Sequence, residues 1–291
     1  MAWPTDRRPS DALTGELIPE IWSAKFIEHT MEYLPCIGVV NTEWRSEIAK
    51  GDVLHIPVGT ALTAYVVNPT VTAAIGDVNT TFTTTAETLT IDKWYQVPIQ
   101  VDDSVKKQTN ITNLLEKRLK SATHAINKVI DTDVNGMFSG LDSSNGVYGS
   151  DGQTFSDDIM IALMERLDEY DVPPTERSLL GDPSVLADCR KIDKFMSYDY
   201  TKNPIGSLAF KGVISAYDVP LYITNNLTGA STGAYGALIQ KEAIGLAIQM
   251  PIDVKYDRVE SAASDLIYVR ALWGADELRD TFGVCFYTRK A

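Results

Sequence analysis

Apolar residues recur at three- and four-residue intervals over two stretches of the chain and alternate over several shorter ones. From Ser104 to about Phe138, Ile111, Leu114, Leu115, Leu119, Ala122, Ile126, Val129, Ile130, Val134 and Met137 keep the spacing of one buried helical stripe. Thirty residues of helix measure about 45 Å, far beyond the usual three turns. Gly140 and the loop SSNGVYGSDG end it. An earlier helix is predicted from Pro19, a residue suited to a first turn, through Ile21, Trp22, Phe26, Ile27 and Leu34, with Pro35 ending it. Residues 1–18 read as an arm without regular structure.

Between the two helices the period changes to two. GDVLHIPV at 51–58 sets Val53 and His55 against Leu54 and Ile56, which predicts a strand. TLTIDKWYQVPIQVDD at 88–103 predicts a second one, with a break near Pro98. The intervening segment is almost uncharged: between Asp52 and Glu87 the only full charge is Asp77, and eleven of the thirty-one residues from Thr60 to Thr90 are threonine. Branched and aromatic side chains favour extended backbone. The pattern therefore describes a long two-stranded arm. Such a hairpin is marginal in water by itself, and an uncharged strand edge recruits other chains. Something outside the arm must hold it.

The second half of the chain reads as a compact mixture of helix and strand. Ser156 is the predicted N-cap of a helix through DDIMIALMERLDEY, with Asp157 and Asp158 facing the helix dipole. RSLLG is a short strand, followed by a helix with Asp182 as cap and Pro183 at its first position. VPLYITNNL is a strand and loop, and YGALIQKEAIGLAIQM a strand–helix–strand turnover. Long strands, IDVKYDRV and those within DLIYVRALWGADELRDTFGVCFYTRKA, follow.

Composition narrows the function. A chain of 291 residues with 44% apolar content suits one large domain or two modest ones, and no run of 18 apolar residues spans a membrane. The first residues, MAWPTDRRPSDALTGE, lack the apolar stretch of a signal peptide, which points to synthesis in the cytoplasm. A net charge of −13 argues against tightly gripped nucleic acid, and EKRLK at 116–120 reads as a solvated helix face. Cys36, Cys189 and Cys285 are far apart and read as buried free thiols. His29, His55 and His124 lack metal-site spacing, and GASTGAYG at 229–236 lacks the lysine of a phosphate-binding loop. Asp102-Asp103 reads as helix capping rather than paired acid–base groups. No cofactor, no metal site and no enzymatic activity are expected.

The order of the parts resembles the major capsid proteins of tailed bacteriophages, whose α+β Hong Kong 97-type fold comprises an N-arm, an extended two-stranded E-loop, a long spine helix, a P-domain and an A-domain. The resemblance covers almost the whole chain. LIPEIWSAKFIEH at 17–29, GDVLHIPV, IDKWYQVPIQVDDSVKKQ, LLGDPSVLADCRK and ISAYDVPLYITNNL at 214–227 carry it through their order and spacing. It implies an N-terminal arm and first helix at 1–50, an E-loop at 51–98, a P-domain with spine helix at 99–155, an A-domain at 156–251, and return strands of the P-domain at 252–291. It further implies self-assembly as hexamers and pentamers into an icosahedral shell, the virion capsid, around double-stranded DNA touched only weakly and non-specifically. A portal protein and, because few residues precede the first helix, a separate scaffolding protein are the implied partners, with room for a cement protein. In the family the E-loop lies across a neighbouring subunit. Tyr65, Val66, Val67, Val71, Ile75 and Phe82 are then its candidate interface residues, because the cores of such contacts are depleted of charge. The alternative is an encapsulin-type shell, which shares the fold and encloses an enzyme cargo.

Overall fold

Ala122, Ile126, Ile130 and Val134, four residues apart on one helix, are all buried, and Phe138 continues the line one turn further on. That stripe is the axis of the main core. The computed structural model describes residues 30–46, 50–59, 84–108, 114–142, 146–192, 213–214, 217, 219–229 and 232–290. Their elements in chain order are the one-turn helix α1 (Cys36–Val39), strands β1 (Val53–Gly59), β2 (Thr84–Thr90) and β3 (Lys93–Asp102), and helices α2 (Asp103–Gln108), α3 (Leu114–Gly136) and α4 (Asp157–Glu169). Strand β4 (Arg177–Gly181), helix α5 (Pro183–Cys189) and strands β5 (Val213–Ile214), β6 (Val219–Ile223), β7 (Gly233–Gln240), β8 (Ile244–Val259), β9 (Ser264–Glu277) and β10 (Gly283–Arg289) follow. The fold is mixed helix and sheet, as the sequence pattern requires.

Helix α3 packs on an antiparallel sheet of order β3-β9-β8. Val97, Val269, Ala271, Trp273, Ile252 and Val254 join its buried stripe in one cluster. A second cluster lies around a five-stranded sheet of order β10-β7-β4-β6-β5, in which only β4 and β6 run parallel. Met160, Leu163 and Leu167 of α4 and Phe286 of β10 fill that cluster. Ser156 Oγ accepts from Ile159 N at 3.4 Å, and an Asp182 carboxylate oxygen accepts from Ser184 N at 3.2 Å, so both predicted caps are in place.

The stripe predicted from 104 to 138 is described as helix in two parts, α2 to Gln108 and α3 from Leu114 to Gly136, with residues 109–113 outside the described residues. Four expectations need correction. Leu115, assigned to the buried stripe, is 40% exposed. The helix predicted to end at Pro35 is not helical from Thr30 to Leu34, and its earlier part lies outside the described residues. A proline disfavours helical backbone at the residue before it. Pro35 instead occupies the N-cap position of α1. Pro98 does not break its strand. The break falls at Ile91-Asp92, and Pro98 sits within β3, an edge strand where a missing N–H costs no ladder bond. Lastly, β7 passes to β8 through the tight turn Lys241–Ala243 with no helix, and Ala243 O accepts from the backbone N–H groups of Leu278 and Arg279.

A buried polar belt ties α1 to α3 and to the loop after β6. Asp131, fully buried, accepts from Cys36 N at 3.0 Å, Asn135 Nδ2 at 3.1 Å and Asn226 Nδ2 at 3.2 Å. A buried carboxylate is costly unless it collects several donors. Here three different segments of the chain supply them.

Candidate functional site

The described part of the predicted arm is the two-stranded sheet. Strands β1 and β2 pair antiparallel from Val53↔Thr90 to Gly59↔Thr84. Along β1 half-buried Leu54, Ile56 and Val58 alternate with exposed Val53, His55, Pro57 and Gly59, as the period of two predicts. Among the described residues of the arm, full burial occurs only at the root. Leu89 and Ile91 pack there with Ala247 and Leu278, flanked by Trp44, Leu54, Ile56 and Leu272. The described part of the arm therefore owns no core; it borrows one from β8 and β9.

Two glycines make that seat. A Cβ on Gly274 would lie 2.0 Å from Thr90 O, so the root of the arm crosses directly over the β9 backbone. A Cβ on Gly245 would come within 2.9 Å of both Leu278 and Leu89. Glycine inside a strand marks such a close approach. Hydrogen bonds fix the crossing: Thr90 N donates to an Asp276 carboxylate oxygen at 3.2 Å, Ile91 N to Asp52 O at 2.7 Å, and Gln249 Nε2 to Gly51 O at 2.8 Å. Beside the seat, burial and the neighbouring Asp280 and Asp276 push the Glu277 carboxyl up to about 7.

The far end of the β8–β9 hairpin meets α2 through charge. Arg258 holds Asp103 in two bonds of 2.6 and 2.8 Å and reaches Asp265 at 2.7 Å, and Lys106 pairs with both acids. The Arg258 guanidinium holds the Asp103 carboxyl well below the usual carboxylate range. Asp103 N also donates to Ala263 O at 3.1 Å, which secures Ala263 in left-handed backbone at φ 45°. Asp103 is thus an ion-pair anchor at the start of its helix.

The predicted interface residues Tyr65, Val66, Val67, Val71, Ile75 and Phe82 lie outside the described residues, as does His29. His55 is exposed on β1, and His124 Nε2 lies 3.0 Å from Glu32 O. No group of three His, Cys, Asp or Glu side chains among the described residues has metal-binding geometry. The three cysteines are buried and unbridged, and burial pushes the Cys189 and Cys285 thiols up to about 12. Among the described residues no helix is long and apolar enough to cross a membrane. The seat of the arm, Gly245 and Gly274 with Leu89 and Ile91, was not singled out beforehand. The glycines within strand patterns were its signal.

No protein-family model matches the sequence, and no curated protein matches it. Solved structures do. One from Mycobacterium phage Che8 aligns with a TM-score of 0.74 at 22% identity, covering 94% of this chain and 97% of its own. The capsid structure of cyanophage P-SCSP1u gives 0.73 at 11% identity, covering 94% of each chain. The capsid of Myoviridae phage XM1 gives 0.61 at 14% identity, covering 95% of this chain and 100% of its own. Identities this low establish the fold alone. It is the Hong Kong 97-type fold of phage capsid subunits, shared over nearly the full length of this chain.

Proposed function

We propose that the chain is the major capsid protein of a tailed phage, a structural subunit that assembles with copies of itself into the icosahedral shell around the genome. One observation carries the reading: an extended hairpin is rooted on β8 and β9 by a small apolar seat, and its described residues have no core of their own. Such an arm gains its remaining stability from a surface outside it. The fold shared with phage capsids supports reading that surface as a neighbouring subunit. These matches favour the phage coat over the cargo-enclosing compartment.

The domain division follows the same reading, with the arm as E-loop, α3 as spine, and the two sheets as centres of the P- and A-domains. Tyr65, Val66, Val67, Val71, Ile75 and Phe82 are its interface residues. Portal, scaffolding and cement partners, and residence in the virion after synthesis in the host cytoplasm, belong to the proposal as well. Negative-stain microscopy of the purified protein tests it. Closed shells of uniform size are expected, and a protein that stays monomeric at high concentration, or shells filled with an enzyme cargo, would overturn it.

A further inference from the structure

Beneath the sheet, where α2 meets the first half of α3, lies an open groove of about 780 Å³. Val97, Ile99 and Ile267 line it from the sheet, Val105 from α2, and Leu115 and Ala122 from α3. Val105, Leu115 and the neighbouring Tyr256 are exposed by 43%, 40% and 67%, so three exposed large apolar side chains converge here. Apolar surface gathered in one concavity marks a binding site more often than scattered exposure does.

The path of the chain indicates the occupant. Cys36 is bonded to Asp131 and Asn135 of α3, and four residues earlier Glu32 meets His124 and Lys128, at 3.0 and 2.8 Å. The segment thus runs beside α3 in the same direction, and four of its residues pass seven of the helix. Seven helical residues rise about 10 Å, within reach of four extended residues. Continued at that pace, the path leads toward Lys117 and Ser121 of α3, and Ser121 lines the groove. The residues that must arrive are LIPEIWSAKFIEH at 17–29, in which Ile21, Trp22, Phe26 and Ile27 recur at helical spacing. Glu20 and Glu28 in that segment match Arg118 on the groove, which makes no ion pair with a described residue.

We propose that residues 17–29 of the same chain dock in this groove, with their apolar side chains against Val105, Leu115 and the sheet. Docking in cis makes the first segment a brace along the spine helix, and it holds whether or not the chain builds a shell.

The test places a photo-crosslinking benzoylphenylalanine at position 115 of the full chain, in a mixture of isotopically heavy and light protein. Peptides from 17–29 joined to position 115 within like-labelled chains are expected. Crosslinks between heavy and light chains, to other segments, or to none overturn the proposal. Independently, Leu115→Glu puts an acid into the first turn of α3, where the helix dipole favours it, and into an apolar groove. Amide exchange in 17–29 should rise at least tenfold while residues 126–134 keep their protection. Unchanged exchange in 17–29 counts equally against docking.

Discussion

The indole Nε1 of Trp273 donates to a carboxylate oxygen of Asp133 at 2.9 Å, joining the central strand β9 to the long helix α3. Trp273 is fully buried and its ring stacks on Tyr95 at 5.2 Å, so one side chain links helix, central strand and edge strand. A hydrogen bond to a charged partner contributes about 1.5–3 kcal/mol, and the lost ring volume adds a cavity term. Trp273→Phe should therefore lower the unfolding free energy by about 3 kcal/mol in urea titrations. Asp133→Asn, which keeps an acceptor, should cost under about 1 kcal/mol. A Trp273→Phe variant within about 1 kcal/mol of the parent would remove this bond from the account of the core.

Glu277 should make stability fall as pH rises through the weakly acidic range. Burial first, then Asp280 and Asp276, raise its folded value to about 7 from an ordinary 4.5. Between those values the folded state holds a proton that the unfolded state has released. The favourable contribution is complete below 4.5 and gone above 7. Partial exposure screens the effect to about 1 kcal/mol. Glu277→Gln should abolish that slope and stabilise the protein at pH 8. A parent stability that stays flat from pH 4.5 to 7 would contradict the assignment.

Charge placed on the arm, as Phe82→Asp or Val67→Lys, should leave the subunit folded and block assembly. An unpaired ion buried at an interface costs several kcal/mol. Circular dichroism would report the fold and sedimentation the particles. A variant that does not fold would place these side chains in an intramolecular core instead.

Particles should carry no covalent links between subunits. The arm has no lysine from Gly51 to Asp92, and the first, Lys93, sits at its root with Nζ 3.3 Å from an Asp92 carboxylate oxygen. That hydrogen bond raises the Lys93 ammonium above its usual range, and a protonated amine is no nucleophile. A boiled sample on a denaturing gel should run as one band near 32.0 kDa. A ladder of covalent multimers would refute the expectation.

What the sequence disclosed was local. The buried run Ala122, Ile126, Ile130, Val134 follows from helical spacing, and the caps at Ser156 and Asp182 follow from residues whose side chains reach their own helix. The alternation along β1 follows from the pleat. The errors came where a distant partner decides. Residues 241–243 carry helix-forming side chains, yet Ala243 O is claimed by Leu278 and Arg279, so the chain turns tightly there. Pro98 breaks no strand because β3 lies at a sheet edge, and edge position cannot be read from a single strand. The Asp131 belt gathers residues 36, 135 and 226, and the Arg258 anchor joins β8 to α2, spacings that no periodicity contains. For the proposed assembly surface the uncharged arm was legible, whereas its seat depends on Gly274 lying across from Thr90.

That crossing also sets a clock. Synthesis delivers β2 and β3 well before β9, and the pairs Lys93↔Trp273 and Asp102↔Ser264 close over more than 160 residues. Contacts so remote in sequence form late, because loop closure must come before they stabilise anything. A growing chain thus carries its arm for most of its time on the ribosome before the strand that seats it exists. On the proposed function, the arm is properly aimed only once β9 is made, so partners met earlier find nothing correctly placed to bind.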